Sequence, residues 1–397
     1  MDRITGVTKN HDWGSSTLIP EFLGTTGSGE PWAEQWFGAH ELGPAQLESG
    51  SNLRDQIECA PAVMLGPSTQ LMFGDQLPYL VKLIAPTLAL SLQVHPGRNL
   101  AAQGFAHEDA SGVPVDSPQR IFKDTTHKPE MLYALTEFEA LVGFAVRRRA
   151  RERLEGLNST LASRLARRLR LATGRGIKPV ISWILDPEEG PRPEEVAEFA
   201  RACGARLASG ESPEPEIDSI VVRLQEQFPG ESGIIMCSLM NYVSLAPGSA
   251  LFVPTGIVHS YQSGLGLEVM ANSDNVIRAG LTSKRIDPEL FLDTATFDGL
   301  PPTLIAPEHP LPGINRFRSP VEDFELSVAA SPVPNTSEPI RMPGTGPRVL
   351  VGLEGRIQVQ TLQGDTELRQ GQALFVPDCD GPILVTGQGR VAEVSVP

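Results

Sequence analysis

The chain has 397 residues, 40% of them hydrophobic and 20% charged, a composition that excludes wholesale disorder and allows two or three domains with cores of their own. Its formal charge of −15 excludes broad nucleic-acid binding, which needs a basic surface to release counterions; an anionic ligand would have to meet a local cluster of Lys and Arg. The opening Met1-Asp2-Arg3-Ile4-Thr5 has no basic stretch leading into an apolar segment, and no apolar run reaches the roughly 18 residues of a membrane helix, so a cytoplasmic protein without a membrane partner is expected. Four cysteines, Cys59, Cys203, Cys237 and Cys379, lie far apart without a C-x-x-C pair. That argues against a thiolate zinc site or a disulfide framework and predicts mostly buried thiols.

From Leu77 to His95 the chain reads as two extended apolar stretches broken around Pro86. Ser91-Leu92-Gln93-Val94-His95 alternates with the strand period of two, which puts Ser91, Gln93 and His95 on one face. Between Arg147 and Leu171 the pattern becomes helical, with Leu154, Leu157, Leu161, Leu165 and Leu169 in register and Arg on the other faces. This basic run is read as a solvated helix face. A second helical stripe of Val196, Phe199, Ala200 and Cys203 follows Pro193. After Gly233 short β-like runs punctuated by Gly and Pro continue to the C-terminus.

A weak repeat lies in that last region. Gly248-Ser249-Ala250-Leu251-Phe252-Val253-Pro254 is echoed by Gly371-Gln372-Ala373-Leu374-Phe375-Val376-Pro377, which implies two related β-barrels. The first copy extends to Gly248-x5-Pro254-x-Gly256-x2-His259 and resembles the second motif of the cupin superfamily, where the His is a metal ligand at a strand end. In the second copy Asp378, Cys379 and Asp380 follow the Pro, so that barrel is expected to be metal-free.

Gln93-x-His95 offers an amide oxygen and an imidazole on one pleat face. Glu130, behind the stiffening Pro129 in His127-Lys128-Pro129-Glu130, completes a candidate set of Gln93, His95, Glu130 and His259. Two imidazoles and two oxygens suit one Zn²⁺, and also Mn²⁺, Fe²⁺ or Co²⁺. His11, His40, His107 and His309 have no ligand-like neighbour at useful spacing and are read as structural.

The segments Phe122-Lys123-Asp124-Thr125-Thr126-His127-Lys128-Pro129-Glu130 and His259-Ser260-Tyr261 through Glu268-x-Met270-Ala271-x-Ser273-Asp274-Asn275-x-x-Arg278-Ala279-Gly280-Leu281-Thr282-Ser283-Lys284 resemble the two signatures of type I mannose-6-phosphate isomerases. Trp13-Gly14, Glu34-x-Trp36-x-Gly38-x-His40, Leu77-Pro78-Tyr79 and Ser91-x-Gln93-x-His95-Pro96 extend the resemblance over the whole chain. It implies a mainly β protein of two cupin-type jelly-roll barrels with a helical insertion. We accordingly expect a metal-binding barrel in 1–149 and 231–310, the insertion in 150–230, and a metal-free barrel in 311–397. The resemblance also implies that Gln93, His95, Glu130 and His259 hold zinc, that Arg278 is catalytic, and that Lys128, His127, Glu268, Asp274 and Lys284 line a sugar-phosphate pocket. The chain departs from the family pattern at Phe122, Thr126, His11 and Ser283; no ligand is removed, but hydrogen bonds around the ligands and loop stiffness are affected.

The implied reaction moves a proton between C2 and C1 of an opened sugar through an enediolate, whose charge a divalent ion and Arg278 would stabilise. Lys128, His127, Glu268 and Asp274 remain open as the group that moves the proton, a Lys base needing a lowered pKa. Ser91, Lys82 and Lys284 are the candidates for the phosphate, Ser91 by its place on the ligand face and the two Lys as local charge in an acidic chain. An Fe²⁺ cupin dioxygenase and a non-catalytic sugar-binding or storage cupin are the alternatives. A small sugar phosphate is the expected partner, and oligomeric state is not legible.

Overall fold

The computed structural model describes residues 1–173, 176–331 and 338–397. Three antiparallel sheets carry the fold. One runs Thr303–Ile305, Ala250–Val253, Glu130–Ala134, Gly266–Ala271, Tyr79–Ile84, Glu34–Phe37 and Val7–Lys9. A second runs Ile277–Gly280, Leu92–Val94, His259–Ser263, Phe138–Phe144 and Met240–Leu245. The third is built mostly from the C-terminal strands Thr345–Thr361, Leu384–Val396, Glu325–Ser331 and Ala373–Val376, with Asp2–Thr5 and Gln46–Leu47 added at one edge.

Side-chain alternation sorts the apolar residues into layers. Leu132, Ala134, Ala140, Val142, Val253 and Tyr261 fill the space between the first two sheets. The opposite face of the first sheet, with Tyr79, Val81, Met131 and Phe252, packs on Phe317, Phe324, Val349 and Phe375 of the C-terminal region. The Tyr79 hydroxyl crosses this seam, donating to the carbonyls of Pro347 at 2.8 Å and Val394 at 3.0 Å. The outer face of the second sheet, with Leu92, Val94, Leu141 and Ile277, packs on the helices.

Those helices carry the predicted stripes. Leu154, Leu157, Leu161, Leu165 and Leu169 are all buried, but the stripe spans two helices, Arg147–Leu154 and Thr160–Leu171. Gly156 takes φ 78°, open to Gly at little cost, and the Ser159 hydroxyl caps the second helix by accepting from Ala162 N. In Pro193–Ser209 the buried residues are Val196, Phe199, Ala200 and Cys203. The arginines are held by acids and rings: Arg149 and Arg153 on Glu214, Arg164 on Glu195, and Arg168 over Trp183 at 4.2 Å.

Both copies of the repeat form a strand of identical sequence, Ala250–Val253 and Ala373–Val376, each preceded by a left-handed Gly, Gly248 at φ 90° and Gly371 at φ 78°. Cys203 and Cys237 are buried as expected, whereas Cys59 and Cys379 are exposed. Among the described residues no helix is long and apolar enough to cross a membrane.

Candidate metal centre

Strand register assembles the centre. His259, which opens His259–Ser263, lies directly opposite Gln93, and Gln93 lies directly opposite Arg278. Residues opposed across antiparallel strands project to the same face about 5 Å apart, so Arg278, Gln93 and His259 form a row on the inner face of the second sheet. From the facing sheet Glu130, paired with Val253 and Met270, reaches into the same space.

His95 Nε2 lies 3.0 Å from Glu130 Oε1, and His259 Nε2 lies 3.4 Å from Glu130 Oε2. The donor atoms of the three residues fall within 4.8 Å of one another, and all three side chains are buried. Each imidazole is oriented through its other nitrogen. His95 Nδ1 meets the Asn275 carbonyl at 2.9 Å and His259 Nδ1 the Ile257 carbonyl at 3.1 Å, so a proton on each Nδ1 leaves both Nε2 lone pairs turned inward. His95 Nε2 has no aligned hydrogen-bond partner although it is buried. Gln93 Oε1 accepts from the Ser91 hydroxyl at 3.1 Å while its Nε2 lies 3.3 Å from His259 Nε2. A half-turn of the amide presents the oxygen to the centre and lets the nitrogen donate to Ser91.

Protonation agrees with a metal site. Burial and the Lys128 ammonium push the His95 imidazole down to about 4. Burial opposes ionisation of Glu130, yet Lys128, with Nζ 3.0 Å from Oε1, and His95 hold it well below the usual carboxylate range. A neutral His95 and an ionised Glu130 are the forms that bind a divalent cation, and this donor set suits zinc.

Around the centre the first sheet carries a second group of charges. Lys82 and Glu268 are cross-strand partners, with Lys82 Nζ 3.4 Å from Glu268 and 3.8 Å from Glu34, and 4.8 Å from the Trp36 ring centroid. Burial works against the Lys82 charge, but Glu34 and Glu268 keep its pKa above the ordinary lysine value. Burial, and then the charge of Glu130, push Glu268 up to about 7. Two carboxylates thus neutralise Lys82, which leaves it little charge to offer a phosphate.

Arg278 and Lys284 are different. Among the described residues neither side chain has an ion pair or hydrogen bond with a protein group, and Lys284 is held below its ordinary pKa by burial and then by the Arg278 charge. Between them Leu281 adopts φ 56°, the one positive φ of a non-glycine among the described residues. That conformation costs an L-residue roughly 1–2 kcal/mol.

The structure does not bring His127 into this group. Its Nε2 lies 2.9 Å from Asp323 Oδ2 and 3.1 Å from Arg98, facing the C-terminal region. Lys128 turns toward Glu130 while its neighbour His127 turns toward Asp323. Asp274 pairs with His40 Nε2 at 3.4 Å, which brings to the site a histidine that its sequence neighbours left as structural. Sequence reading also missed Tyr261 and Asn275 as supports. The Tyr261 hydroxyl donates to Glu130 Oε2 at 3.3 Å. Asn275 holds His95 through its carbonyl and, with its side chain, binds Lys123 N and the carbonyls of Asp124 and Thr126. Both lie inside the long second motif, which was the available signal.

Residues 1–147 match the family model for the catalytic domain of type I phosphomannose isomerase. The chain is 31% identical over 409 residues to the mannose-6-phosphate isomerase of Escherichia coli (strain K12), with 99% of both chains covered. It is 30% identical to mannose-6-phosphate isomerase 2 of Arabidopsis thaliana, covering 99% of this chain and 92% of the relative. A crystal structure of mannose 6-phosphate isomerase from Salmonella typhimurium bound to substrate (f6p) and zinc superposes with a TM-score of 0.87 at 30% identity, over 100% of this chain and 99% of that one.

Proposed function

The chain belongs to the type I phosphomannose isomerase family, and from that premise we propose that it interconverts mannose 6-phosphate and fructose 6-phosphate with one zinc ion held by Gln93, His95, Glu130 and His259. The observation that carries the reading is the pair of unpartnered cations, Arg278 and Lys284, beside a buried His–Glu–His cluster in a chain of charge −15. A dioxygenase gives those two cations no use.

Zinc bound there supplies a Lewis acid for the carbonyl of the opened sugar. The protein's own groups do the rest. Arg278, in line with Gln93 and His259, sets a fixed positive charge where negative charge develops on the enediolate. The buried Lys82–Glu268 pair carries the proton between C2 and C1, and Lys128 keeps Glu130 ionised. Lys284 and the Ser91 hydroxyl receive the phosphate, with Asp274 and His40 bordering the sugar. His127 supports its segment through Asp323.

For the architecture we infer two cupin-type jelly-roll barrels, with the metal in 1–149 and 231–310, a helical insertion in 150–230 and a metal-free barrel in 311–397. The repeated Ala-Leu-Phe-Val strand behind a left-handed Gly supports the duplication. Four unpaired cysteines fit a cytoplasmic location. A coupled assay of fructose 6-phosphate formed from mannose 6-phosphate, with zinc measured on the same sample, tests the reading; zinc-loaded protein without isomerisation would reject it.

A further inference from the structure

We infer that Glu231 is a positioning residue for the substrate loop: its carboxylate braces the backbone at Gly280-Leu281 and so fixes where Lys284 stands relative to Arg278. The inference rests on the reading that those two cations meet the sugar phosphate.

Three observations converge on the brace. First, the Leu281 N–H donates to Glu231 Oε2 at 2.7 Å, and Gly233 N–H donates to the same carboxylate. No Lys or Arg pairs with Glu231 among the described residues, so its hydrogen bonds go to backbone groups of two separate segments. Second, Leu281 is the residue held at φ 56°. A strained backbone persists only where its surroundings over-determine it, and here two anchors do so. The Leu281 side chain is 2% exposed, set in the helical core with Ile234, Ile235 and Phe291, and its N–H is taken by Glu231. Third, the contact leaves no room beside Gly280, where a Cβ would meet Glu231 Oε1 at 2.8 Å and Gly233 Cα at 3.2 Å.

The consequence for the site is directional. Arg278 is fixed by its pairing with Gln93, three residues before Leu281. Lys284 is exposed three residues after it, with only a local bond from its own N–H to Thr282 Oγ1 at 3.1 Å. The left-handed residue sets the angle at which the chain leaves the strand, so it decides how far the Lys284 ammonium lies from the guanidinium. Glu231 belongs to the segment that leads into helix Gly233–Ser238, which gives the helices a direct hold on the loop.

The test compares Glu231→Ala, Glu231→Gln and Gly280→Ala as zinc-loaded full-length protein. In Glu231→Ala the KM for mannose 6-phosphate should rise about tenfold or more, with kcat within roughly threefold and zinc retained, since binding of the remote anion is lost rather than the chemistry. Glu231→Gln should return KM to within about threefold of the parent, because the amide oxygen still accepts from Leu281 N–H. Gly280→Ala displaces the carboxylate from the other side and should raise KM by a similar factor. An activity-independent readout is native trypsin cleavage after Lys284 and Arg285, which should quicken about tenfold in Glu231→Ala as local opening becomes easier. A parental KM and cleavage rate in Glu231→Ala, or in Gly280→Ala should the first variant not fold, overturns the inference. A Lys284→Ala control with parental KM would instead sink the assignment of Lys284 to the substrate, while the brace would still register in the cleavage rate.

Discussion

Replacing Glu393 by Gln should make the protein more stable above neutral pH and leave it unchanged in acid. Glu393 is buried in strand Leu384–Val396; Oε2 accepts from Gly344 N at 2.9 Å and Oε1 has no partner. Burial pushes its carboxyl up to about 7 against an ordinary 4.5, with Gly344 N–H and Arg348 working the other way. Because the folded value is the higher one, between about 4.5 and 7 the folded chain binds the proton that the unfolded chain has released. The stability it contributes is therefore full below the unfolded pKa and is lost as pH rises through the folded one. Over that interval, at about 1.4 kcal/mol per pH unit, the loss comes to about 3 kcal/mol. The amide of Gln stays neutral and can still accept from Gly344 N–H, so at pH 8 the variant should gain up to about that amount, read as a rise of several degrees in thermal midpoint. Midpoints of both proteins from pH 4.5 to 8.5 check this. A variant less stable than the parent at pH 8, or an equal gap at both ends of the range, would refute the assignment of a buried, protonated carboxyl.

Arg278→Gln should keep its zinc and lose roughly 100-fold or more in kcat, the scale for removing a preorganised charge, in the coupled assay with metal analysis. His127→Ala should cost less than about tenfold in kcat, since a general acid or base would cost roughly 100-fold or more; a larger loss would return His127 to the chemistry despite its contact with Asp323. Tyr261→Phe removes the hydroxyl on Glu130 and should weaken zinc binding about tenfold, measured by chelator competition. His95→Ala should fail to hold zinc at all, and the chelated parent should regain activity on adding zinc back.

The residues that meet at the candidate centre were legible because each carries its signal locally: the alternation around Gln93 and His95, the stiff turn before Glu130, the Gly and Pro spacing before His259. What joins them was not. The row Arg278–Gln93–His259 depends on register between strands remote in the chain, and no local pattern specifies that pairing. Lys82 looked like spare charge until Glu34 and Glu268 were found on either side of it. His127 was drawn toward catalysis by its neighbour Lys128, although its ring faces Asp323 and Arg98. The Leu stripe of the helical region was right about which residues are buried and silent about the interruption, which Gly156 and the Ser159 cap mark locally. Asp323 acts through side chains brought from elsewhere and Glu231 through the remote Leu281 N–H, so nothing beside them in the chain marks these contacts.

The cross-strand row also bears on how the protein is made. His259 and Gln93 are 166 residues apart, and most of the intervening chain must reach its place before they can pair. Closing loops of that length is entropically costly, and each halving of the free length recovers only about 0.6 kcal/mol, so helices that form early from local contacts would bring the two strands together sooner. A slip of one residue would turn Gln93 toward the helices and away from His95, Glu130 and His259. Metal uptake during refolding would therefore report when these two remote strands have come into register.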